Sequence, residues 1–336
     1  MASASGESLE KLEDMIVRAA ESTAAHVRAA KAAIGEVIFG QDVVVERALV
    51  TVLSGGHALL VGVPGLAKTK LVETMGTALG LDARRVQFTP DLMPSDILGS
   101  EVLEEGAGGK RTFRFIPGPV FAQLLMADEI NRASPRTQSA LLQAMQEQHV
   151  TVAGARHDLP KPFHVLATQN PLEQEGTYPL PEAQLDRFLM EIDVDYPDLE
   201  SERKILFDTT GAEDSKAKAA MTAEELIAAQ RLVRRLPVGE SVVEAILTLV
   251  RSARPDSEAG AISKSIAWGP GPRASQSLML AVRARALLDG RFAPSIDDVL
   301  ELADPVLKHR MALTFAARAE GETVGNIIAQ LKARIG

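Results

Sequence analysis

The segment 57–69, with the sequence HALLVGVPGLAKT, constrains the fold more than any other part of the chain. An apolar run leads into a turn that contains glycine and proline, and lysine and threonine then open a helical pattern. This order is typical of a buried strand that continues through a phosphate-binding loop into a helix. Gly62 and Gly65 let the loop point its N–H groups inward, and the helix N-terminus adds positive charge. The segment therefore predicts a nucleoside-triphosphate site within an α/β fold.

The residues of this loop have separate predicted roles. Lys68 can reach the β- and γ-phosphates of ATP, and the Thr69 hydroxyl can bind Mg²⁺. Ala67 stands where the general motif has glycine, and we expect its φ to be negative, as at a helix start. The alternative is an ordinary strand–turn–helix corner with a surface lysine. The predicted nucleotide-binding residues of the loop are Gly62, Pro64, Gly65, Leu66, Ala67, Lys68, Thr69 and Lys70.

A pair of acidic residues ends a second apolar segment. Residues 123–127 read as a strand buried on both faces, and Asp128 and Glu129 follow it directly. Ligands bind at the carboxyl ends of strands in open α/β sheets, so both carboxylates are expected beside the phosphate loop. Asp128 would then hold the water shell of Mg²⁺, and Glu129 would orient or deprotonate the attacking water. Without the loop upstream, a solvated strand end would explain the pair equally well.

Three further polar residues are candidates for catalysis. Asn170 follows another predicted strand and could position the same water, although Asn-Pro also starts turns. Arg187 precedes the fifth strand and could reach the γ-phosphate bound to a neighbouring subunit, or it could pair with Asp186 or Glu182. Arg273 opens a helix, where the dipole disfavours a cation, so an anion is expected nearby.

The chain divides where its hydrophobic pattern changes. Its 336 residues suggest about two domains. A helix is predicted over residues 1–36 and is expected to pack on the core. Strands alternate with helices over 37–197, which predicts a five-stranded parallel sheet covered on both faces. From 198 to 336 the patterns are helical, so a smaller all-helical domain is expected. Two hairpins interrupt the first domain, at 101–115 with a glycine-rich tip and at 149–159 around Ala153-Gly154.

Composition excludes several classes of protein. The net charge is −9, which disfavours a general nucleic-acid binder. The chain has no cysteine, so it has no disulfide and no thiolate chemistry. No apolar run approaches the roughly 20 residues that span a bilayer, and the first residues do not resemble a secretory signal. We therefore expect a cytoplasmic protein without a membrane span.

Taken together, these segments resemble the MoxR family of AAA+ ATPases. The resemblance extends over about residues 36–200 and continues into the helical part. In that family an alanine before the loop lysine is usual. The segments that carry the resemblance are GVPGLAKT, FIPGPVFAQLLMADEINRASPRTQSALLQAMQEQHVTV, ATQNP, PEAQLDRFLM and GPGPRA.

The resemblance implies a P-loop αβα core with a helical lid and two inserted hairpins. It also assigns roles. Lys68 and Thr69 correspond to Walker A, Asp128 and Glu129 to Walker B, and Asn170 to sensor 1. Arg187 matches the arginine finger. Arg273 matches sensor 2, and whether it acts on its own subunit or on a neighbour stays open.

Two weaker assignments follow from the same resemblance. The segment Ile38, Phe39, Gly40 and Gln41 matches the residues that cup the adenine. Gln87 is a candidate for the residue that restrains Glu129 until a partner binds.

The expected function is ATP hydrolysis with Mg²⁺ by a homo-oligomeric ring, usually a hexamer in AAA+ proteins. MoxR proteins act as chaperone-like remodellers of protein substrates, often with a partner that carries a von Willebrand factor A domain. Three alternatives remain open: the motor subunit of a metal chelatase, a nucleic-acid motor, and a scaffold that binds nucleotide without turnover. A porphyrin-bearing partner, stimulation by DNA, or absent turnover would distinguish them.

Overall fold

A computed structural model of the chain describes residues 3–105, 111–173, 175–211, 216–257 and 260–335. Side chains are described from residue 18 onward, apart from that of residue 261. The tip of the first predicted hairpin, at 106–109, lies outside the described residues.

The core of the fold is a parallel sheet of five strands, which lie in the order Ala83–Gln87 (β2), Leu124–Asp128 (β5), His164–Gln169 (β8), Ala58–Val61 (β1) and Met190–Asp193 (β9). Strand β8 lies between β1 and β5, so the strand that leads into the phosphate loop is not adjacent to the strand that ends in Asp128. The predicted five-stranded parallel sheet is confirmed. The strands of the chain are β1 (Ala58–Val61), β2 (Ala83–Gln87), β3 (Gly99–Glu105), β4 (Arg111–Pro117), β5 (Leu124–Asp128), β6 (His149–Val152), β7 (Ala155–Asp158), β8 (His164–Gln169), β9 (Met190–Asp193), β10 (Ile266–Trp268) and β11 (Ala312–Leu313).

Helices cover both faces of the sheet and predominate in the described residues after β9. Two short 3₁₀ helices are also present, Ile130–Arg132 between β5 and the helix Pro135–Glu147 (α5) and Lys308–Arg310 after the helix Ile296–Leu307 (α12). The α-helices are α1 (Ser3–Gly35), α2 (Asp42–Leu53), α3 (Lys68–Ala78), α4 (Pro94–Leu98), α5 (Pro135–Glu147), α6 (Glu182–Leu185), α7 (Leu199–Thr209), α8 (Ala223–Val233), α9 (Glu240–Ser252), α10 (Ala261–Ser265), α11 (Pro272–Leu288), α12 (Ile296–Leu307), α13 (Phe315–Ala319) and α14 (Val324–Lys332).

The sheet separates two hydrophobic clusters. Strand β5 is buried along its whole length, as its unbroken apolar sequence predicts for a strand covered on both faces. On β1, Leu60 belongs to the cluster shared with α2, α3 and the lid, whereas Leu59 points into the cluster under α5. Helix α5 begins as predicted, with Ser134 accepting a bond from the N–H of Thr137 and proline in the first turn. The strands that end at the carboxyl edge of the sheet are therefore packed against helices on both faces.

Both predicted hairpins are present and they contact each other. Strands β3 and β4 pair antiparallel directly after α4, and β6 pairs with β7 through a turn in which Ala153 and Gly154 have φ of 48° and 83°. Two positive φ values identify a type I′ turn, which matches the twist of a hairpin. The ring of Phe115 stacks on that of His157, with centroids 3.8 Å apart. The hairpins thus form one unit beside the core.

The lid is helical, as predicted, with one difference in detail. The expectation that residues 198–336 are all helical is wrong at β10 and β11, which form a short antiparallel ribbon. Strands of three and two residues are too short to show an alternating pattern, so they could not be predicted from periodicity. The first helix, α1, packs against α2 and α3 of the core and also against α8 and α11 of the lid.

Candidate nucleotide-binding site

The loop between β1 and α3 has the close backbone approach and the open turn that its glycines predict. A Cβ at Gly62 would lie 2.5 Å from the carbonyl oxygen of Val194, so no larger residue fits there. Gly65 has φ of +87° and faces open space. The loop therefore curls back toward the start of α3 and leaves its inner surface accessible.

Ala67 contradicts the expectation of a negative φ. It is the residue before α3, and its φ of 54° lies in the left-handed region. The general motif has glycine here because that conformation strains a residue with a Cβ by about 1–2 kcal/mol. The surrounding loop thus holds Ala67 in a strained conformation, as is common at functional sites.

Lys68 bends over the loop that precedes it. Its Nζ donates to the carbonyl oxygens of Gly62, at 2.7 Å, and of Val63, at 2.6 Å. Burial lowers the pKa of Lys68, and the carboxylates of Asp128 and Glu129 oppose this shift. The ammonium therefore lies between the loop and the acidic pair, where an anion would find a positive charge.

Asp128 is buried and held by bonds to both carboxylate oxygens. Its Oδ1 accepts from the hydroxyl of Thr168 at the end of β8, 2.5 Å away. Its Oδ2 accepts from the guanidinium of Arg85 on β2, with Nε 3.0 Å away. Strand β5 pairs with both neighbours, so the carboxylate points along the sheet edge between them.

Glu129 is restrained by a side chain on the next strand. Its Oε2 accepts from Nε2 of Gln87 at 2.7 Å and from Nη1 of Arg132 at 3.1 Å. The amide oxygen of Gln87 in turn accepts from Nη2 of Arg85 at 2.7 Å. Glu129 has φ of 56°, a strained conformation for a residue other than glycine. A connected network thus links the two acidic residues through β2.

Asn170 lies beside this network and also forms a turn. The residue is buried, and its Oδ1 accepts from the N–H of Leu172 at 3.1 Å. The turn that Asn-Pro predicts is therefore present, and Asn170 also lines the cavity described below. The pairing of β8 with β5 brings Asn170 to the same edge of the sheet as Asp128.

One cavity of about 460 Å³ collects most of the predicted residues. This size is within the range of small-molecule sites. Neither Gly62 nor the segment Ile38–Gly40 lines it; Gly40 instead packs against Ser201 and Pro197 at the start of the lid. Gln41 ties this segment to the same region through a bond from Nε2 to the carbonyl of Asp195, at 2.8 Å. The cavity is lined by Pro64, Gly65, Leu66, Ala67, Lys68, Thr69, Lys70, Arg85, Gln87, Asp128, Glu129, Thr168 and Asn170.

Neither Arg187 nor Arg273 lines the cavity of its own chain. Asp186 binds two other arginines: its Oδ2 accepts from Nη1 of Arg273 at 3.1 Å, and its Oδ1 from Nε of Arg310 at 2.7 Å. Within the described part of the chain, no carboxylate forms an ion pair with Arg187. The predicted alternative, a salt bridge from Arg187 to Asp186 or Glu182, is therefore wrong.

Two residues of the cavity, Arg85 and Thr168, were not predicted from the sequence. Each had a signal: Arg85 precedes Gln87 by two positions on one strand and so shares its side, and Thr168 ends a strand that adjoins Asp128. Both signals depend on knowing which strands are neighbours. The loop, the acidic pair and the sheet order together define a P-loop ATPase fold of the AAA+ type.

Comparisons with known proteins agree with this class. The ATPase family associated with various cellular activities (AAA) matches residues 57–190, and the AAA lid domain matches residues 258–331. A crystal structure of a protein assigned as an ATPase in Cytophaga hutchinsonii superposes with a TM-score of 0.87 and is 36% identical. The match covers 96% of this chain and 97% of that one.

The relatives in sequence specify the family. Chaperone MoxR1 of Mycobacterium tuberculosis is 44% identical over 90% of this chain and 80% of its own length. The uncharacterized protein YeaC of Bacillus subtilis is 39% identical over 90% and 92%, and MoxR of Paracoccus denitrificans is 32% identical over 89% and 92%. The chain belongs to the MoxR family of AAA+ ATPases.

Across the described residues, no helix has both the length and the apolar character that crossing a membrane requires.

Proposed function

We propose that this protein hydrolyses ATP with Mg²⁺ as a ring of identical subunits and uses the energy to remodel partner proteins. The observation that supports this best is that one cavity is lined by Lys68 and Thr69 together with Asp128, Glu129 and Asn170. These are the groups needed to bind a triphosphate, to neutralise its charge and to activate water.

The side chains present suit a magnesium ion. The hydroxyl of Thr69 and the carboxylate of Asp128 provide the oxygen ligands that Mg²⁺ prefers, in part through water. When bound, the ion neutralises charge on the β- and γ-phosphates. Thr168 holds Oδ1 of the Asp128 carboxylate, and Arg85 occupies Oδ2, the oxygen that it would yield to the metal. The donor set therefore fits the metal that the family implies.

In the proposed reaction, Lys68 leaves the two loop carbonyls and binds the β- and γ-phosphates. Glu129 accepts a proton from the attacking water, and Asn170 orients that water. Gln87 restrains the Glu129 carboxylate at 2.7 Å, so water activation requires this hydrogen bond to break. The network thus keeps the base inactive until a bound partner rearranges β2.

Arg187 is proposed to complete the site of the neighbouring subunit. It lines no part of its own cavity and, in the described residues, has no carboxylate partner, which supports a role toward an anion elsewhere. Such arginine fingers contribute on the order of 10³–10⁵ in rate. Arg273 donates to Asp186, the residue directly before Arg187, so we propose that Arg273 also acts across the interface. A ring of six such subunits is expected.

The proposed substrate is a partner protein. One relative is named a chaperone, and the stacked hairpins form an exposed unit that nucleotide-driven motion can displace. A second partner with a von Willebrand factor A domain is proposed, as is a cytoplasmic location. The net charge of −9 makes nucleic acid an unsuitable substrate. A segment such as 38–41 is proposed to contact the adenine once the lid closes.

The substitution Glu129→Gln tests the catalytic proposal. It keeps the shape of the side chain but removes its basicity, so ATP should bind with unchanged affinity while turnover falls by about 10²–10⁴. Glu147→Gln, at the end of α5 and outside the cavity, is the matched control and should keep full turnover. Calorimetry measures binding and phosphate release measures turnover. Normal hydrolysis by Glu129→Gln would exclude Glu129 as the base.

A mixing experiment tests the shared site. An Arg187→Ala chain retains its own base but offers no finger, whereas a Glu129→Gln chain offers a finger but has no base. Mixed rings should recover turnover that neither chain shows alone. Failure to recover at every ratio would contradict the proposed role of Arg187. Proteins retained by the Glu129→Gln chain with ATP would then identify the substrate.

A further inference from the structure

Arg310 is a buried arginine whose hydrogen bonds converge on one short segment. It lies in the 3₁₀ helix that follows α12 of the lid, and only 1% of its surface is exposed. Burial lowers the pKa of Arg310, and the ion pair with Asp186 opposes that shift. A buried guanidinium must satisfy its N–H groups within the protein, so the acceptors that it finds reveal what it is built to hold.

Four of those acceptors belong to residues 186–189. Nε donates to Oδ1 of Asp186 at 2.7 Å, and Nη2 donates to the carbonyls of Asp186, at 3.3 Å, and Phe188, at 2.6 Å. Nη1 donates to the carbonyl of Leu189 at 3.2 Å. The remaining bonds, to Val306 and Ser277, anchor the guanidinium within the lid itself. Arg310 therefore holds the backbone on both sides of Arg187.

The core holds the same segment from the opposite side. The N–H of Leu189 donates to the carbonyl of His57 at 2.7 Å, directly before the strand that leads to the phosphate loop. His309, next to Arg310, places its Nε2 3.2 Å from the carbonyl of Phe188. Arg187 thus belongs to a segment that is held between the lid and the residue before strand β1.

Attachment of the lid does not by itself explain this arrangement. Lys308 already pairs with Glu191 and Asp193 on β9, and Arg285 on α11 already pairs with Glu46 on α2. These contacts join the lid to the core without touching residues 186–189. The bonds of Arg310 are instead concentrated around Arg187, and by occupying Asp186 they keep its carboxylate away from that arginine.

We propose that Arg310 is the positioning residue for Arg187, so that the lid of each subunit sets the position of the arginine that the subunit presents to its neighbour. This inference depends on the proposed action of Arg187 across the interface. It assigns to Arg310 no contact with nucleotide; its effect passes through Asp186 and the carbonyls of the segment.

The substitution Arg310→Lys tests this role, because lysine keeps the charge but cannot reproduce the branched set of bonds. A catalytic group misplaced by about 1 Å loses roughly 10²-fold in rate, so kcat should fall by about tenfold to a hundredfold. The KM for ATP should stay within about twofold, since the chain's own cavity is intact. Arg285→Lys is the matched control, with the same substitution in another lid-to-core ion pair. It should keep normal kcat.

Mixed rings give the readout that a merely structural defect cannot imitate. Arg310→Lys chains should regain turnover when mixed with Glu129→Gln chains, which supply a correctly placed finger. They should not regain turnover with Arg187→Ala chains, because neither partner then supplies one. Asp186→Asn should behave in the same way as Arg310→Lys, and thermal unfolding shows whether each variant is folded.

The outcomes separate the two proposals. If Arg187→Ala and Glu129→Gln fail to complement each other, the shared site itself is refuted. If that pair complements but Arg310→Lys has normal kcat, or is impaired and not rescued by Glu129→Gln chains, then Arg310 does not position the finger.

Discussion

Removal of Arg85 should strengthen the binding of Mg²⁺ to the nucleotide complex. The guanidinium of Arg85 occupies Oδ2 of Asp128, the carboxylate proposed to hold the metal. A divalent cation must therefore displace an existing cation from that oxygen. The substitution Arg85→Gln removes the competing charge and leaves a neutral group of similar length, so the metal meets a free carboxylate.

The magnitude follows from how far the pair is exposed. Two unit charges at 4 Å interact by about 4 kcal/mol at an effective dielectric constant of 20, whereas fully exposed pairs contribute only about 0.2–1 kcal/mol. The side chain of Asp128 is 12% exposed and that of Arg85 is 48% exposed, which places this pair between the two cases. We expect about 1.4 kcal/mol, which is a tenfold change in affinity.

The assay is a titration of Mg²⁺ into protein saturated with a non-hydrolysable ATP analogue, followed by calorimetry. The midpoint for Arg85→Gln should lie about tenfold below that of the unsubstituted chain. Arg84→Gln is the matched control: Arg84 is 47% exposed, pairs with Asp82 and does not line the cavity. Its midpoint should not move. An unchanged or higher midpoint for Arg85→Gln would show that the guanidinium does not compete with the metal.

Three further predictions concern the restraint on the base, the acid sensitivity of the fold and the strained loop. Gln87→Ala should free Glu129 and raise basal ATP turnover by up to about tenfold, the equivalent of one charge-assisted hydrogen bond; a turnover assay without partner protein that detects no rise would contradict the restraint. Burial lowers the pKa of His57 to about 3 and that of His164 to about 4, so the folded state resists protonation that the unfolded chain accepts below pH 6.5. The stability that these neutral histidines contribute is complete above pH 6.5 and is lost as the pH falls. The free energy of unfolding in urea should therefore decrease by about 2.5 kcal/mol between pH 7 and 5.5. A free energy of unfolding that does not change over this range would exclude the two histidines as the cause. Ala67→Gly should raise the free energy of unfolding by about 0.5 kcal/mol, because relief of left-handed strain exceeds the added entropy of the unfolded chain; denaturant midpoints would test this, and a lower midpoint would indicate that Ala67 is not strained.

Much of the fold was predictable because the relevant signals are local in sequence. The phosphate loop and the acidic pair each occupy a few consecutive residues, and β5 is recognisable from its unbroken apolar run. The hairpin turn at Ala153 and Gly154 is likewise encoded in neighbouring residues. Each of these features could be placed before any tertiary contact was known.

The remaining features depend on contacts between distant parts of the chain. Arg85 meets Asp128 only because β2 pairs with β5, and Arg310 meets Asp186 across the boundary between lid and core. No periodicity distinguishes these arginines from surface ones. The left-handed conformation of Ala67 was not predictable from the helix that follows, because Ala67 precedes that helix and its φ is set by the loop.

The packing of α1 against both the core and the lid limits how the lid can move. Buried side chains at Ala24, Val27, Ala30 and Ile34 lie along one stripe of the helix, which touches core helices and lid helices at once. A wide hinge opening between lid and core would break the contacts of these side chains with one of the two domains. Sliding of packed helices by small steps keeps both contacts, so shear is the motion that α1 permits. A larger displacement at the hairpins then requires a small rotation near the sheet, because the hairpins extend from the core and their far ends move further than their bases.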